Sequence, residues 1–429
     1  MSTVSNNPMP KMIARTITAC AVGLLVLSSA VAVFGKDKKP KPQYTDEGEK
    51  GKVVYKNILE GLDLSKFVWP NPPAITRIRY LTYWSGEKLE VQKQQQKKNS
   101  SWMERVSGVA VGGSNSEVKP RWQLIVPNGI AVDSKGKVYI ADSKVRAIFI
   151  VDTESGKCEM IKNGSEAHFQ WPTGLAIDDS DRLFSADSGM HRVAVFGPDR
   201  KMEGVLTQGL VAPAGLAIDN ENRYLYVADP ELDQVLVFDA DPPYKKIRAI
   251  GTTGQAHKLT APGDFSKPVG VAVDKEGSLY VTDTWNNRVE IFDAEGKFIR
   301  AWGKAGDGVG YFARPKGIAL DSDGHVWVAD GMQERVQVFT PEGRVLIWMG
   351  GDGLLPGTFR ALQNVYIDKD DRVFTTEQYP GRVQVFRYKK DAEARKEKEV
   401  RDAELKQKTP QRATANKVAV QKQPDSPNK

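Results

Sequence analysis

Four histidines are the side chains of this sequence best suited to hold a transition metal or to transfer protons at neutral pH. His168 and His191 lie on either side of one apolar segment, His257 lies in a long connection, and His325 follows an Asp-x-x-Gly turn. A catalytic zinc ion needs three protein ligands and one open coordination position. His168 and His191 are therefore the only metal-ligand candidates and fall short of a site. We predict no metal and no other cofactor, and we assign no catalytic residue.

Other sequence patterns of catalytic or cofactor sites are missing from the chain. It has no Cys-x-x-Cys-His haem motif, no P-loop and no Gly-x-Ser-x-Gly nucleophile elbow. The only cysteines are Cys20 and Cys158, and removal of an N-terminal signal would leave one, which excludes an intrachain disulfide. Stability must then come from the packing of a long chain.

Acidic residues recur along the chain with a period of roughly 45 residues, which is typical of stacked supersecondary units. Six copies of one pattern begin at Pro127, Pro172, Pro213, Pro268, Pro315 and Leu362. The first apolar run of each copy ends at Asp133, Asp178, Asp219, Asp274, Asp321 and Asp368. The second run ends at Asp142, Asp187, Asp229, Asp283, Asp330 and Glu377. We interpret these repeated acids as structural residues of turns, not as catalytic groups.

The apolar runs predict β-strands. They are short, rich in Val, Ile, Tyr and Phe, and bounded by Gly, Asp and Pro. The third run reads Arg-Val-x-Val-Phe in its clearest copies, as in Arg335 to Phe339, and we align Arg146 with this arginine across a shorter turn. A fourth strand follows in the first five copies. The sequence therefore predicts an all-β fold, a six-bladed β-propeller of four-stranded antiparallel blades.

The sixth copy has no fourth strand of its own. An open ring would expose an unpaired strand edge, which folded proteins avoid. The segment Ile78 to Trp84 reads like the fourth strand Phe298 to Trp302. We predict that it pairs with the last blade and closes the ring, while the alternative is a strand that caps the propeller from outside.

Residues 74–386 resemble NHL-repeat proteins, whose units carry Pro-x-Gly-[ILV]-Ala-x-Asp, then Gly-x-[LV]-[YW]-Val-[AT]-Asp, then Arg-[VI]-x-[VI]-Phe. Pro268 to Asp274, Leu279 to Asp283 and Arg288 to Phe292 match it closely. The resemblance implies a propeller and a bacterial, exported protein, but it does not imply one function, because this fold hosts binding modules and unrelated enzymes. Propellers similar to this protein include amidating lyases with a histidine-bound zinc and gluconolactonases with a calcium ion in the channel.

Strand order predicts which loops share a face. We call upper the face with the segment before each repeat proline and the loops between the second and third strands; the Asp-x-x-Gly turns lie on the lower face. The upper-face segments differ most between copies, and binding usually lies in such loops. The candidate ligand-binding residues there are Trp122, His168, Trp171, His191, Lys267, Trp285, Arg314, Met332 and Tyr379. The recurring Phe265, Phe312 and Phe359 are expected to pack between blades.

The x of each Pro-x-Gly should lie at the mouth of the central channel. The polar members of this set are Asn128, Thr173, Lys316 and Gln363. None is a carboxylate, so a calcium cage of oxygen ligands is not expected there.

The N-terminus resembles a targeting segment. Lys11 and Arg15 precede an uncharged stretch, and Ala30-Val-Ala32 offers a cleavage site. Residues 1–35 are either a cleaved signal peptide or an uncleaved signal anchor, with residues 12–35 long enough to attach the chain to a membrane. We therefore predict export to the periplasm or cell envelope. Residues 36–73 are predicted to form a polar linker.

The net charge of +7 is unevenly distributed. Residues 387–429 carry six excess positive charges and residues 1–60 carry four, which leaves residues 61–386 mildly acidic. Nucleic-acid binding by the propeller is therefore not expected. Residues 387–429 are predicted to be a charged, largely disordered tail, in which residues 389–408 could form a solvated helix.

These patterns favour a monomeric, non-catalytic binding scaffold of the cell envelope that engages a protein, a peptide or a glycan through the upper face. The exposed aromatic residues with mixed charges are the reason for this hypothesis. A metal-dependent lyase or lactonase is one alternative. A membrane-attached assembly factor, held by the N-terminal segment and the basic tail, is the other.

Overall fold

The structure is a computed structural model that describes residues 62–86, 122–164, 167–251 and 261–420, with side chains up to residue 406. The chain divides into a unit of residues 1–55, which lies outside the described residues, and a unit of residues 56–429. The signal segment, most of the predicted linker and His257 therefore lie outside the described residues.

The first three blades are each built from four consecutive strands. Blade 1 contains β3 (Pro127–Val132), β4 (Val138–Asp142), β5 (Ala147–Val151) and β6 (Cys158–Lys162). Blade 2 contains β7 (Pro172–Ile177), β8 (Leu183–Asp187), β9 (Arg192–Phe196) and β10 (Met202–Leu206). Blade 3 contains β11 (Leu216–Asp219), β12 (Tyr224–Asp229), β13 (Gln234–Asp239) and β14 (Lys246–Ile250).

The next two blades follow the same order, whereas the last one combines both ends of the propeller. Blade 4 contains β15 (Pro268–Val273), β16 (Leu279–Asp283), β17 (Arg288–Phe292) and β18 (Phe298–Trp302). Blade 5 contains β19 (Pro315–Leu320), β20 (Val326–Asp330), β21 (Arg335–Phe339) and β22 (Val345–Gly350). Blade 6 contains β23 (Leu362–Ile367), β24 (Arg372–Glu377), β25 (Arg382–Tyr388), β2 (Ile78–Trp84) and β1 (Val68–Trp69). The all-β six-bladed propeller is thus confirmed.

Burial decreases from the second strand of a blade to the fourth. Strand β20 is buried along its whole length, whereas β22 alternates between half-buried and exposed residues until Met349. A strand covered on both faces is expected to be a continuous apolar run, and an edge strand to alternate. Blade 6 differs from the others because β1 pairs antiparallel with β2 and adds a fifth strand to the sheet.

The predicted closure of the ring by Ile78–Trp84 is confirmed. Strand β2 pairs antiparallel with β25, from Ile78 opposite Tyr388 to Trp84 opposite Val383, with a bulge at Leu81. The last blade therefore gains its fourth strand from the N-terminal side of the chain, and its edge is paired.

The predicted linker does not extend unbroken to residue 73. A 3-10 helix (Leu64–Lys66) and β1 lie within it. Leu64, Phe67 and Trp69 pack against the core between blades 5 and 6. These three apolar side chains pack against the cluster that contains Ile78 and Tyr80 of β2, so the segment before the closing strand contributes to the core.

Within the described residues, six clusters of buried apolar side chains lie between neighbouring blades. One joins blades 5 and 6, where Trp327 and Phe386 are fully buried. Another joins blades 6 and 1, where Phe374 and Ile140 are fully buried. The remaining four clusters join the other successive pairs of blades. The core is therefore a closed circle of interfaces, and the packing of Phe265, Phe312 and Phe359 between blades is confirmed.

The glycine of each Pro-x-Gly permits neighbouring inner strands to touch. A Cβ atom on Gly129 would lie 2.3 Å from the carbonyl oxygen of Thr173 in the next blade, and one on Gly270 would lie 2.2 Å from that of Lys316. No side chain can occupy such a space without moving backbone. The motif is thus explained by packing around the channel.

The carboxylate at the end of each second strand accepts hydrogen bonds from backbone N–H groups of the upper-face segments. Asp142 accepts hydrogen bonds from the backbone N–H groups of Ile125 and Val126, which precede the repeat proline, and from those of Lys144 and Val145. In blade 5, Asp330 accepts the equivalent hydrogen bonds from the backbone N–H groups of Ala313, Arg314, Met332 and Gln333. A carboxylate with this many donors is structural, as the sequence pattern predicted.

The residue before each third strand adopts a left-handed backbone conformation. The residues at this position are Arg146, His191, Asp233, Asn287, Glu334 and Gly381, with φ between 50° and 83°. Asp142 pairs with Ala147 just as Asp187 pairs with Arg192, so the loop in blade 1 has the same length as the others. The alignment of Arg146 with the repeat arginine across a shorter turn is therefore wrong, and Arg146 occupies the left-handed position.

The predicted disordered tail contains a helix, α1 (Asp391–Val420). Its first turns are attached to the propeller through an ion pair between Asp391 and Arg77 and another between Glu397 and Lys389. Ala394 is buried. The helix suggested over residues 389–408 overlaps α1, whose contacts with Arg77 and Lys389 cannot be read from a local charge pattern. No helix of the described residues is long and apolar enough to cross a membrane.

Blade 4 has a buried carboxylate where blades 5 and 6 have amides. Gln337 and Gln384 accept from the N–H of Gly310 and of Gly357 at 2.7 and 3.0 Å. Glu290 accepts from the N–H of Gly263 at 2.8 Å and pairs with Arg288. Its burial raises the pKa of this carboxyl to about 7.

We expect Glu290→Gln to remove a pH dependence of folding stability. The unfolded carboxyl loses its proton near pH 4.5, whereas the folded one keeps it to about pH 7, so stability decreases as pH rises through this window. The change in the free energy of unfolding that the substitution causes should therefore be more favourable at pH 8 than at pH 4, by about 1–3 kcal/mol. Urea unfolding at both pH values measures this. The reciprocal variant, Gln337→Glu, should introduce a similar dependence; if neither variant alters the pH profile, the buried carboxylate is not its source.

Candidate functional site on the upper face

Every blade has at least one large exposed apolar side chain in the loops of the upper face, and Val309, Tyr311 and Leu355 are further ones in the connections before blades 5 and 6. One such residue of each blade lies within two residues of the repeat start or of the acid that ends the second strand. These residues, with their exposed fractions, are Ile125 (47%), Trp171 (47%), Val211 (40%), Trp285 (51%), Met332 (70%) and Tyr379 (56%). Among the described residues, no large exposed apolar side chain lies in a turn of the lower face. We call this set the apolar ring. Exposed apolar residues scattered over a surface need no explanation, whereas an apolar residue from every blade on a single face makes that face a candidate contact surface.

The two halves of the ring are built from different loop positions. In blades 1 to 3 the apolar residue lies before the repeat proline, by one residue for Trp171 and by two for Ile125 and Val211. In blades 4 to 6 it lies two residues after the acid that ends the second strand, as Trp285 does after Asp283. One or two residues before the repeat start, that half carries the basic residues Lys267, Arg314 and Arg360.

Arginine side chains lie against two aromatic members of the ring. The guanidinium of Arg314 is 5.6 Å from the ring centre of Trp285, and that of Arg360 is 5.8 Å from the ring centre of Tyr379. Such cation–π contacts are weakly stabilising at exposed sites and favour one arrangement of the two side chains. The aromatic surfaces are therefore held in place before any ligand arrives.

A cleft of about 510 Å³ opens on the upper face between blades 1, 2 and 3. Its lining includes Arg146, Trp171, Ser188, His191 and Glu231. An aromatic ring beside a cation, an imidazole and a hydroxyl suits contact with a polar ligand that has one apolar side. The volume is within the range of small-ligand sites.

One ring nitrogen of His191 makes a hydrogen bond to the backbone of the neighbouring blade. Its Nδ1 contacts the carbonyl oxygen of Val211 in the next blade, so Nδ1 carries the proton in the neutral ring. The other nitrogen, Nε2, then has a free lone pair on a side chain that lines the cleft. His191 therefore links blade 2 to the segment before blade 3 through Nδ1. Its Nε2 can accept a hydrogen bond from a ligand in the cleft.

Near this cleft, one carboxylate forms an ion pair, whereas one cation has no carboxylate partner among the described residues. Glu231 pairs with Lys267 at 3.1 Å, and Lys267 also donates its backbone N–H to Asp233. Arg146 is exposed and has no carboxylate within ion-pair distance in the described part of the chain. As far as the described residues extend, the cleft thus has one free cation at its edge.

The four residues predicted at the channel mouth are neutral hydrogen-bonding groups and one ammonium. Asn128 donates to the hydroxyl of Ser143 at 2.9 Å, and Thr173 donates to the carbonyl of Pro213 at 2.9 Å. Lys316 donates to Oε1 of Gln363 at 3.0 Å. Burial lowers the pKa of the Lys316 ammonium.

The structure separates the candidate residues into groups. Trp171 and His191 share the cleft, while Trp285, Met332 and Tyr379 form the other half of the apolar ring. Trp122 is half-buried, with its ring centre 6.0 Å from that of Phe149, and packs between blades 6 and 1. It was expected on the binding surface because an aromatic residue before a repeat cannot be assigned to core or surface from sequence.

The three described histidines do not come together as a metal site. His168 is exposed and does not line the cleft with His191. His325 lies on the lower face, 3.0 Å from a carboxylate oxygen of Asp321, whose hydrogen bond raises the histidine pKa. Within the described ranges, no group of three His, Cys, Asp or Glu residues is placed to hold a metal ion. Burial raises the pKa of the Cys158 thiol to about 11, which leaves it unreactive at neutral pH.

Several site residues were missed from the sequence. Ile125, Val211 and Arg146 were not among the candidates. Arg146 occupies the repeat position of His191, whereas Ile125 and Val211 lie one residue before the repeat position of Trp171. The equivalent positions in the other copies carry Gln170, Ser266, Ala313 and Arg360, so the repeat pattern gave no signal for Ile125 and Val211. Arg146 was missed because it was aligned with the arginine of the third strand.

Fold and repeat together define the class of this protein as a six-bladed β-propeller of repeated four-stranded units. The NHL repeat model matches residues 169–196, 265–292 and 312–339, which belong to blades 2, 4 and 5. The protein therefore carries NHL repeats, and the expected resemblance is confirmed.

Relatives share the repeat at low identity. The chain is 24% identical over 243 residues to NHL repeat-containing protein 2 of Gallus gallus, covering 44% of this chain and 33% of that protein. It is 25% identical over 199 residues to a gluconolactonase of Zymomonas mobilis, covering 39% of this chain and 52% of that protein. The chain thus spans a third to a half of the lengths of these relatives.

A solved structure shows the same fold. The structure of a Bacteroides thetaiotaomicron protein of unknown function matches with a TM-score of 0.50 and 16% identity, over 62% of this chain and 70% of that one. At this identity the match concerns the fold alone.

Proposed function

We propose that this protein is a non-catalytic binding scaffold whose upper face engages a protein or peptide. The apolar ring is the observation that carries the proposal, since it places one exposed apolar residue of every blade around a polar channel mouth. Interfaces of this kind combine aromatic and methionine contacts at the centre with a polar rim. The paired Arg314 with Trp285 and Arg360 with Tyr379 are preorganised contact points.

The cleft between blades 1 and 3 adds a second kind of contact. Trp171, His191 and Arg146 could receive one polar side chain of the partner, or a sugar ring stacked on the indole. A glycan-bearing partner would therefore fit this half of the face. The opposite half, with Trp285, Met332 and Tyr379, is more apolar and suits a peptide segment.

We place this activity in the periplasm or cell envelope, with the monomeric propeller either free after signal cleavage or attached through residues 12–35. The uncharged stretch after Arg15 supports export, and the mildly acidic propeller supports the absence of a nucleic-acid partner. Strand β25 ends on the lower face, where α1 begins. Attachment through the C-terminal helix, as in an assembly factor, would therefore leave the upper face open to a partner.

Full-length protein purified after cross-linking in its source cells tests the proposal. We expect a discrete partner to be retained by the wild type and lost from the variant Trp285→Ser with Met332→Ser, because both side chains lie at the centre of the proposed contact. The matched control replaces Ile299 and Leu346, which are 43% and 44% exposed on the outer strands of the same two blades. Equal retention by the two double variants would refute binding through the upper face.

The second candidate, a metal-dependent lactonase or lyase, is supported by the likeness to a gluconolactonase. His191 with its free Nε2 is the side chain that such a site would use. Elemental analysis of the full-length protein distinguishes the two candidates. A stoichiometric metal that is released by His191→Ala would favour the enzyme over the scaffold.

A further inference from the structure

In blades 1 to 5, a short turn on the lower face joins the third strand to the fourth. A residue at the end of the third strand donates its backbone N–H to the carbonyl oxygen of the residue just before the fourth strand. These pairs of donor and acceptor are Asp152 and Lys157, Gly197 and Lys201, Asp239 and Lys245, Asp293 and Lys297, and Thr340 and Arg344. Because so short a loop costs little entropy to close, each turn keeps its fourth strand beside the third.

Blade 6 has this hydrogen bond without the turn. The backbone N–H of Lys389, directly after β25, donates to the carbonyl oxygen of Arg77, directly before β2, at 2.7 Å. The two residues belong to distant parts of the chain, so no short loop connects β25 to β2. The closing strand therefore lacks the covalent link that the fourth strands of blades 1 to 5 possess.

Helix α1 lies at the place of the missing turn. Asp391, in its first turn, forms an ion pair with Arg77. Arg401, about three turns further along the helix, donates from its guanidinium to the carbonyl oxygen of Ala74 at 3.2 Å. Together with the hydrogen bond from Lys389, these contacts attach the segment before β2 to the segment after β25 at three points.

The inner side of this contact is buried. Ala394 of α1 is 2% exposed, and the side chain of Lys389 is almost completely buried. The ammonium of Lys389 pairs with Glu397 of the helix, the one carboxylate within ion-pair distance of it among the described residues. This hydrogen bond lowers the pKa of the Glu397 carboxyl. The helix thus supplies the counter-ion of a buried cation, and a buried cation without such a partner is costly.

We propose that α1 is a strap that substitutes for the missing turn and keeps β2 in the ring. When the strap detaches, β2 separates from β25 together with β1, because a protein opens locally where its contacts are weakest. The edge of β25 and part of the cluster between blades 5 and 6 are then exposed. Since Asp391 is exposed, salt weakens its ion pair with Arg77 and favours detachment. The strap goes beyond the proposed function and does not depend on binding at the upper face.

Hydrogen–deuterium exchange of the full-length protein, followed by mass spectrometry, tests the strap. Ala394→Glu places a charged side chain on the buried face of α1 and should accelerate exchange of the β2 amides about tenfold or more. Exchange of β18, a fourth strand with its turn intact, should stay within about twofold of the wild type. The matched control is Ala403→Glu at an exposed position of the same helix. It should leave both strands within about twofold of the wild type.

A milder variant decides the question if Ala394→Glu does not fold. Glu397→Gln keeps the shape of the helix but removes the charge opposite Lys389, and it should accelerate exchange of β2 about threefold or more. Unchanged exchange of β2 in the folded variants overturns the strap. Equal acceleration of β2 and β18 also overturns it, because α1 would then stabilise the whole propeller and not the closing strand in particular.

Discussion

Replacing Arg382 with alanine is expected to lower the free energy of unfolding by about 3–5 kcal/mol. The guanidinium of Arg382 is almost completely buried and donates two hydrogen bonds to Glu377, at 2.8 and 2.9 Å, and one each to the carbonyls of Leu354 and Thr358. Without it, the carboxylate of Glu377 stays buried with only Arg360 N–H and Gln384 as donors among the described residues. An uncompensated buried charge of this kind is among the largest single-site penalties.

Urea unfolding at pH 8 and at pH 5 measures this effect and its origin. Burial already raises the pKa of Glu377, and loss of the arginine should raise it further, so the penalty should be smaller at pH 5, where the carboxyl can bind a proton. The matched control is Arg192→Ala at the same repeat position in blade 2, where Arg192 donates to a backbone carbonyl. We expect about 1 kcal/mol there. Equal losses in the free energy of unfolding at the two positions would show that the buried pair of Arg382 and Glu377 contributes no more than the hydrogen bond of Arg192.

Replacing Tyr80 with alanine is expected to cost about 3–5 kcal/mol, because this residue belongs to the closing strand. Tyr80 is 3% exposed, and its ring centre lies 5.4 Å from that of Phe386 on β25. It contributes to the cluster between blades 5 and 6 together with Ile78 and Trp327. Truncation would leave a cavity at the place where the ring closes.

The neighbouring residue provides the control for this prediction. Leu81 lies at the bulge of the same strand and is 37% exposed, so Leu81→Ala should cost less than about 1 kcal/mol. Thermal and urea unfolding of the two variants give the comparison. A small, equal cost for both would mean that β2 contributes little to the stability of the ring.

The closing strand could be predicted because its residues repeat a pattern found elsewhere in the sequence. Ile78 to Trp84 resembles Phe298 to Trp302, and one missing strand in six copies leaves one place for it. Strand β1 could not be predicted in this way, since Val68–Trp69 has no counterpart in the repeat. It is fixed by tertiary contacts, as when the indole of Trp69 packs against Gly357.

The candidate site was only partly visible in the sequence for a similar reason. Trp285, Met332 and Tyr379 break the repeat at a loop position and could be recognised as exposed. Trp122 also breaks the pattern, but its contact with Phe149 buries it between blades. Sequence variation thus identifies where the copies differ, whereas only the packing of neighbouring blades decides whether a differing residue faces the core or solvent.

Upper-face binding is the central claim, and the affinity of the isolated partner tests it most directly. Calorimetry would compare the wild type with Trp285→Ser plus Met332→Ser and with Ile299→Ser plus Leu346→Ser. The account predicts that the upper-face variant loses about tenfold or more in affinity, while the outer-strand variant stays within about twofold of the wild type. Unchanged affinity of the upper-face variant, or a larger loss in the outer-strand variant, would contradict it.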